Sequence, residues 1–167
     1  MNTHAERTEW TEAEGAELKA LLTGRGLRVA AGESLTAGRV QALLGAVSGA
    51  SGYLAGGVTA YSGDLKVSLL GVDAAAKAMN WVSEQVAMEM AQGACRLFGC
   101  EVGLGTTGYA EPDAANGVAA PFAWVAVALG AETRTQLVEC TAGEGRVEMQ
   151  MRAAHTALRL LAALIRA

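Results

Sequence analysis

The sequence predicts a three-layer α/β/α sandwich with a mixed, mostly parallel sheet that ends in an antiparallel hairpin. Three observations predict it. Short apolar runs alternate with helix-period segments through the first part of the chain, which is how βαβ units with parallel strands and helices on both faces read. Two late apolar runs, Phe122 to Leu129 and Arg134 to Cys140, are joined only by Gly130-Ala131-Glu132-Thr133, a link short enough for a hairpin. The 167 residues are 51% hydrophobic and 18% charged, a composition that buries a sizeable core and does not stay disordered.

Each element has a local reason. Met1 to Glu9 read as a loose lead-in, and the whole of 1–167 as one domain with no repeat or linker. Thr11 to Thr23 reads as a helix. Thr11 and Glu14 fit a capping box, and Ala13, Ala16, Leu18, Ala20, Leu21 and Leu22 supply an apolar side. Gly24 and Gly26 end it. Leu27 to Ala31 is a strand apolar enough for burial on both faces. A turn of small and hydroxyl residues follows, then a helix over Arg39 to Ala46 and a small-residue loop from Val47 to Gly52. Gly56 to Tyr61 reads as the second strand. Ser62 caps a short helix to Leu70, and Gly71 stops it. Val72 to Trp81 is a connector with some helical character, in which Trp81 is too apolar to lie fully exposed. Ser83 starts a helix to Phe98 that places Val82, Val86, Met90, Ala94 and Leu97 on one side. Glu101 to Thr107 is the third strand, and Tyr109 to Ala120 a loop with Pro112 and Pro121 near its ends. After the hairpin come a turn, Thr141 to Gly145, and a long helix from Arg146 to Ile165 with Met149, Ala153, Ala157, Leu160, Leu161 and Leu164 facing in.

Composition narrows the function. The net charge of −4 and the scatter of Lys and Arg exclude a nucleic-acid surface. Apolar stretches are broken well before a membrane-spanning length, so no membrane partner is expected. The start, Met-Asn-Thr-His-Ala-Glu-Arg, has no apolar signal core, which predicts a cytoplasmic protein. Cys95, Cys100 and Cys140 are odd in number and form no CxxC pair, and His4 and His155 lie far apart. Neither a disulfide frame, a metal centre nor a cofactor is expected.

The chemistry concentrates at Val29 to Gly38. Strand, turn and helix there put Glu33, Ser34 and Thr36 at the carboxyl end of a strand, where open α/β sheets place ligands. The free N–H groups opening the next helix favour an anion. Ser34 reads either as an ordinary cap or as a nucleophile at a strand-to-helix turn. Amide hydrolysis fits the nucleophile reading, with the Leu35 and Thr36 N–H groups as oxyanion donors. Lys66 is either a solvated amine or, with its pKa depressed by burial, the base. It shares a helix face with Ser62. Tyr61 is either a core-edge tyrosine bonded to a carbonyl or a group that orients a proton. Glu33 is either a ligand contact or a turn-closing carboxylate bonded to backbone N–H groups.

Several segments together resemble a known family. Gly32-Glu33-Ser34-Leu35-Thr36-Ala37-Gly38 resembles A-E-S-C-T-G-G. Gly56 through Lys66 resembles G-G-x-V-x-Y-S-N-x-x-K, with Leu70-Gly71-Val72 following in place. Val82 through Ala91 resembles V-S-E-E-V-A-x-E-M-A. In this order they are similar to the C-terminal domain of the CinA family, also known as nicotinamide mononucleotide deamidase, from about Ala13 onward. The resemblance implies hydrolysis of the carboxamide of nicotinamide mononucleotide to nicotinic acid mononucleotide and ammonia. It further implies a nucleotide substrate, a homo-oligomer (dimer or trimer) and a stand-alone member of a family often fused to a second domain. It assigns Ser34, Lys66 and Tyr61 to catalysis. It assigns Glu33, Thr36, Gly38, Ser51, Ser62, Thr107, Gly108, Arg146 and Arg152 to substrate binding.

The chain departs from the family pattern at named positions. Leu35 stands for Cys and Ala37 for Gly. In the loop after the third strand, Glu111 and Asp113 stand for glycines, Ala120 for Lys, and Ala123-Trp124 for Gly-Thr. Gln150 stands for the middle arginine of G-D-R-x-x-I-R-x-R, and the serine pair near residue 50 is reduced to Ala50-Ser51. Two new carboxylates beside a phosphate oppose its binding. Three readings stay open: the family's deamidase, a hydrolase of a less anionic amide, and a non-catalytic binding or assembly module.

Overall fold

The structure is a computed structural model that describes residues 9–167. Most of the expected lead-in, and His4 with it, lies outside these residues. The elements are α1 (Glu12–Gly24), β1 (Val29–Glu33), α2 (Arg39–Gly45), β2 (Leu54–Thr59), α3 (Gly63–Leu70), α4 (Glu84–Phe98), β3 (Val102–Tyr109), β4 (Phe122–Leu129), β5 (Glu132–Glu139) and α5 (Arg146–Arg166). Short 3-10 turns lie at Ala50–Gly52, Ala74–Met79 and Ala114–Asn116. Among the described residues the strands form one five-stranded sheet in the order β2-β1-β3-β4-β5. β1 pairs in parallel with β2 and β3, while β3–β4 and β4–β5 are antiparallel. This is the mixed sandwich that the residue pattern predicts.

The local signals work as read at the caps. Thr11 and Glu14 close both bonds of the capping box, and Ser62 and Ser83 accept from Leu65 N and Val86 N. Gly71 ends α3 in the left-handed region at φ 67°. Strand ends differ by one to two residues. β1 and β3 run further toward their carboxyl ends than expected, to Glu33 and Tyr109. β2 covers Leu54–Thr59, which leaves Tyr61 beyond the strand. The hairpin link tightens to Gly130-Ala131, with Gly130 at φ 59°.

α1, α2 and α5 cover one face of the sheet, against Val29, Ala31, Val102, Leu104, Val125 and Val127. On α1 the inward residues are Gly15, Leu18 and Leu22, three to four apart; Ala13, Ala16 and Ala20 lie exposed on the other side. Alanine suits either side, so composition alone did not phase this helix.

α4 covers the other face, with α3 packed beside it. The sheet there is floored with Ala30, Gly32, Gly103, Gly105, Ala126 and Ala128, and α4 answers with Ala87, Ala91 and Ala94. Small residues on both sides let the helix backbone approach the strands. Leu97, expected inside, is 45% exposed, because Leu70 covers α4 at Gly93 and Leu97 lies a turn beyond. A Cβ on Gly105 would lie 2.1 Å from the Ala87 carbonyl oxygen. Gly105→Ala is therefore expected to destabilise the fold by about 2 kcal/mol, as overpacking does. Urea unfolding checks this, and an unchanged midpoint would show that α4 moves away freely.

Candidate active site

The carboxyl ends of β1 and β3 and the start of α3 meet at one rim. Ser34 follows β1 directly. Its N–H donates to Thr106 O on β3 at 3.0 Å, which ties the turn to the neighbouring strand. Ala37 and Gly38 then take left-handed conformations at φ 49° and 92°, and the chain reverses into α2.

Glu33 holds this turn. It is fully buried, and its Oε2 accepts from Gly38 N at 3.0 Å, Val40 N at 3.1 Å and the Thr36 hydroxyl at 2.7 Å. Its Oε1 accepts from Gln41 N at 2.9 Å. The Thr36 hydroxyl also meets Thr106 Oγ1 at 2.7 Å. The expectation of an open anion site at the start of α2 is thereby corrected: the chain's own carboxylate occupies those donors. Glu33, Thr36 and Gly38 serve the turn and line neither cavity described below. The Leu35 and Thr36 N–H groups have no acceptor among the described residues.

Lys66 approaches from α3. Its ammonium donates to Ser34 Oγ at 2.9 Å and to Tyr61 O at 3.0 Å. The side chain is 3% exposed, and burial lowers its pKa from 10.5 to about 8. It faces the site because Lys66 lies on the inner side of α3, one helical turn from the Ser62 cap.

Ser34, Tyr61 and Lys66 line one cavity of about 310 Å³. Thr107 and Gly108 line it too, and Thr107 Oγ1 donates to Trp81 O at 2.8 Å. The cavity continues past Leu35, Tyr61, Gly108 and Tyr109 into an outer compartment of about 300 Å³ bounded by Glu111, Asp113 and Arg146. Arg146 donates to Glu111 Oε2 at 2.7 Å and to the Tyr61 hydroxyl at 2.8 Å.

Other expected contacts lie elsewhere. Ser51 precedes β2 and so sits at the opposite end of the parallel strands from Ser34. The Ser62 hydroxyl caps α3. Arg152 bonds Glu144 through Nε at 2.9 and 3.0 Å and lines neither compartment. Sequence reading missed Thr106, Asn80, Trp81 and Tyr109. Trp81 takes φ 63° and lays its ring on Gly63, where a Cβ would come within 2.1 Å of the indole. The Tyr109 hydroxyl accepts from Asn80 Nδ2 at 3.0 Å. The one signal for this group was a tryptophan in a connector, too apolar to be left in water.

A family model, the CinA C-terminal domain, matches residues 12–165. The chain belongs to the CinA C-terminal domain family. A CinA-like protein of Anaeromyxobacter dehalogenans is 40% identical over 148 residues, 88% of this chain and 36% of that protein. The chain spans about a third of the length of the curated relatives it matches. A crystal structure of a CinA superfamily protein from Klebsiella pneumoniae superposes with a TM-score of 0.87 at 26% identity, covering 95% of this chain and 99% of that one. A CinA superfamily protein from Enterobacter cloacae also gives 0.87 at 26% identity, covering 99% and 98%. Among the described residues of this CinA-family chain, no helix is long and apolar enough to cross a membrane, and no group of three or more His, Cys, Asp or Glu is placed to hold a metal ion.

Proposed function

We propose that this protein is a serine amidohydrolase that releases ammonia from the carboxamide of a nicotinamide nucleotide or nucleoside. The observation that carries the reading is the buried Lys66 amine 2.9 Å from Ser34 Oγ in a cavity walled by aromatic rings. Neutral Lys66 takes the Ser34 proton as Oγ attacks the carboxamide carbon. The resulting oxyanion is met by the N–H group of Leu35, which lines the cavity and whose N–H has no acceptor among the described residues. Lys66 returns the proton to the departing nitrogen, which leaves as ammonia, and Ser34 holds the acyl group. Water, deprotonated by the same amine, then releases the acid and restores Ser34. One amide and one water become one acid and one ammonia. Tyr61, Trp81 and Tyr109 suit a flat heteroaromatic ring. Nicotinamide mononucleotide, the substrate that family membership suggests, is the first compound to assay.

The test is ammonia release by purified protein, with Ser34→Ala as control. Only the unprotonated amine accepts a proton. With the Lys66 pKa lowered to about 8, kcat/KM is expected to rise with pH through about 8 and level above it. A flat profile from pH 6 to 10 would exclude Lys66 as the base.

A further inference from the structure

We propose that the site, within this amidohydrolase reading, selects a pyridinium carboxamide that carries no phosphate, and that Glu111 sets the choice. The outer compartment holds one cation, Arg146, against two carboxylates, Glu111 and Asp113. The guanidinium is already engaged, with Nη1 on Glu111 and Nη2 on the Tyr61 hydroxyl. An incoming phosphate must displace Glu111 or share the guanidinium with it, and in either case it lies beside that carboxylate. Asp113 stays in the wall, its oxygens held by Asn116 N at 3.3 Å and Asn116 Nδ2 at 2.7 Å.

One other donor-rich place near the rim is answered in the same way. Glu33 fills the amino end of α2. The wall of the outer compartment is net negative, and π faces are present throughout, since Tyr61 and Tyr109 line both compartments and Trp81 the inner one. Such walls attract a delocalised cation and repel a dianion. A pyridinium nucleoside has the positive ring, the carboxamide and no phosphate. Its mononucleotide adds the group this wall opposes.

The experiment uses Ser34→Ala protein, which binds without turnover, and calorimetric titration with nicotinamide riboside and with nicotinamide mononucleotide at low salt. The riboside is expected to bind at least ~10-fold more tightly, a margin set by one partly screened like-charge contact. Adding Glu111→Gln is expected to strengthen mononucleotide binding ~10-fold and to leave the riboside within about twofold. Glu111 is exposed, so the change does not threaten folding. Equal or tighter mononucleotide binding before the change overturns the selectivity, whatever the wild type hydrolyses. A preference unmoved by Glu111→Gln overturns the role of Glu111. Riboside preference without ammonia release by the wild type keeps the selectivity and overturns the amidohydrolase reading. Binding of neither compound overturns both.

Discussion

Lys66→Met is expected to lower kcat/KM for ammonia release about a thousandfold, the middle of the range for losing a general base. Ser34→Ala is expected to lose as much, and the double variant no more, because the two groups act as one unit. The methionine variant also has a stability signature. In the folded protein burial holds the Lys66 pKa near 8, whereas the unfolded chain keeps the ordinary 10.5. Between those values the unfolded state binds more protons, so unfolding free energy rises with pH across that window. The gain approaches about 3 kcal/mol at its upper end. It is expected in the wild type and absent from Lys66→Met, read by urea unfolding at pH 7.5 and pH 10. Identical pH dependence in the two proteins would mean that burial does not lower the Lys66 pKa, and the base assignment would fall with it.

Glu33→Gln is expected to cost about 4 kcal/mol, a larger loss than any surface change brings. The carboxylate accepts from three backbone N–H groups and one hydroxyl inside a site closed to water. An amide keeps the shape but offers only one oxygen. Its NH2 must face a backbone donor, most simply Gln41 N, while the remaining bonds lose their charge assistance. For a chain of this size the melting temperature is expected to fall by roughly 10 °C. A shift under 2 °C would show that water or a rotated Thr36 substitutes for the lost acceptor, and that Glu33 is not the clamp of the turn.

What was legible in the sequence follows the reach of each signal. Caps act over three or four residues, so Thr11, Ser62 and Ser83 could be placed from their neighbours alone. The hairpin could be read from the distance between two runs. The fold class followed from their order. Glu33 could be read two ways, because a carboxylate before a turn gives no hint of whether it faces a ligand or curls onto the helix ahead. The backbone settles that point, through the left-handed pair Ala37-Gly38 that swings the Gly38, Val40 and Gln41 N–H groups onto it. The placement of Trp81 depends on its positive φ and on the missing Cβ of Gly63 eighteen residues earlier. No periodicity carries such a relation. Ser51 and Arg152 show the converse: polar residues in a motif-like setting that the topology sends to another end of the sheet or to a private ion pair.

The reversed sense of β4 has a consequence for how such a protein can change over generations. The turn that carries Ser34 belongs to the parallel half of the sheet. The residues that bound the outer compartment, Glu111 and Asp113, belong to the loop in which the chain turns from β3 into β4, where parallel order gives way to antiparallel. The two are separate stretches of chain that share a rim and no hydrogen bond. Substitutions that leave the Glu111–Arg146–Tyr61 chain of bonds intact are expected to combine nearly additively with substitutions in the turn. Drift in the loop can thus redirect the molecule to a new compound while the chemical step is inherited intact, and a laboratory library confined to 110–121 samples that same freedom.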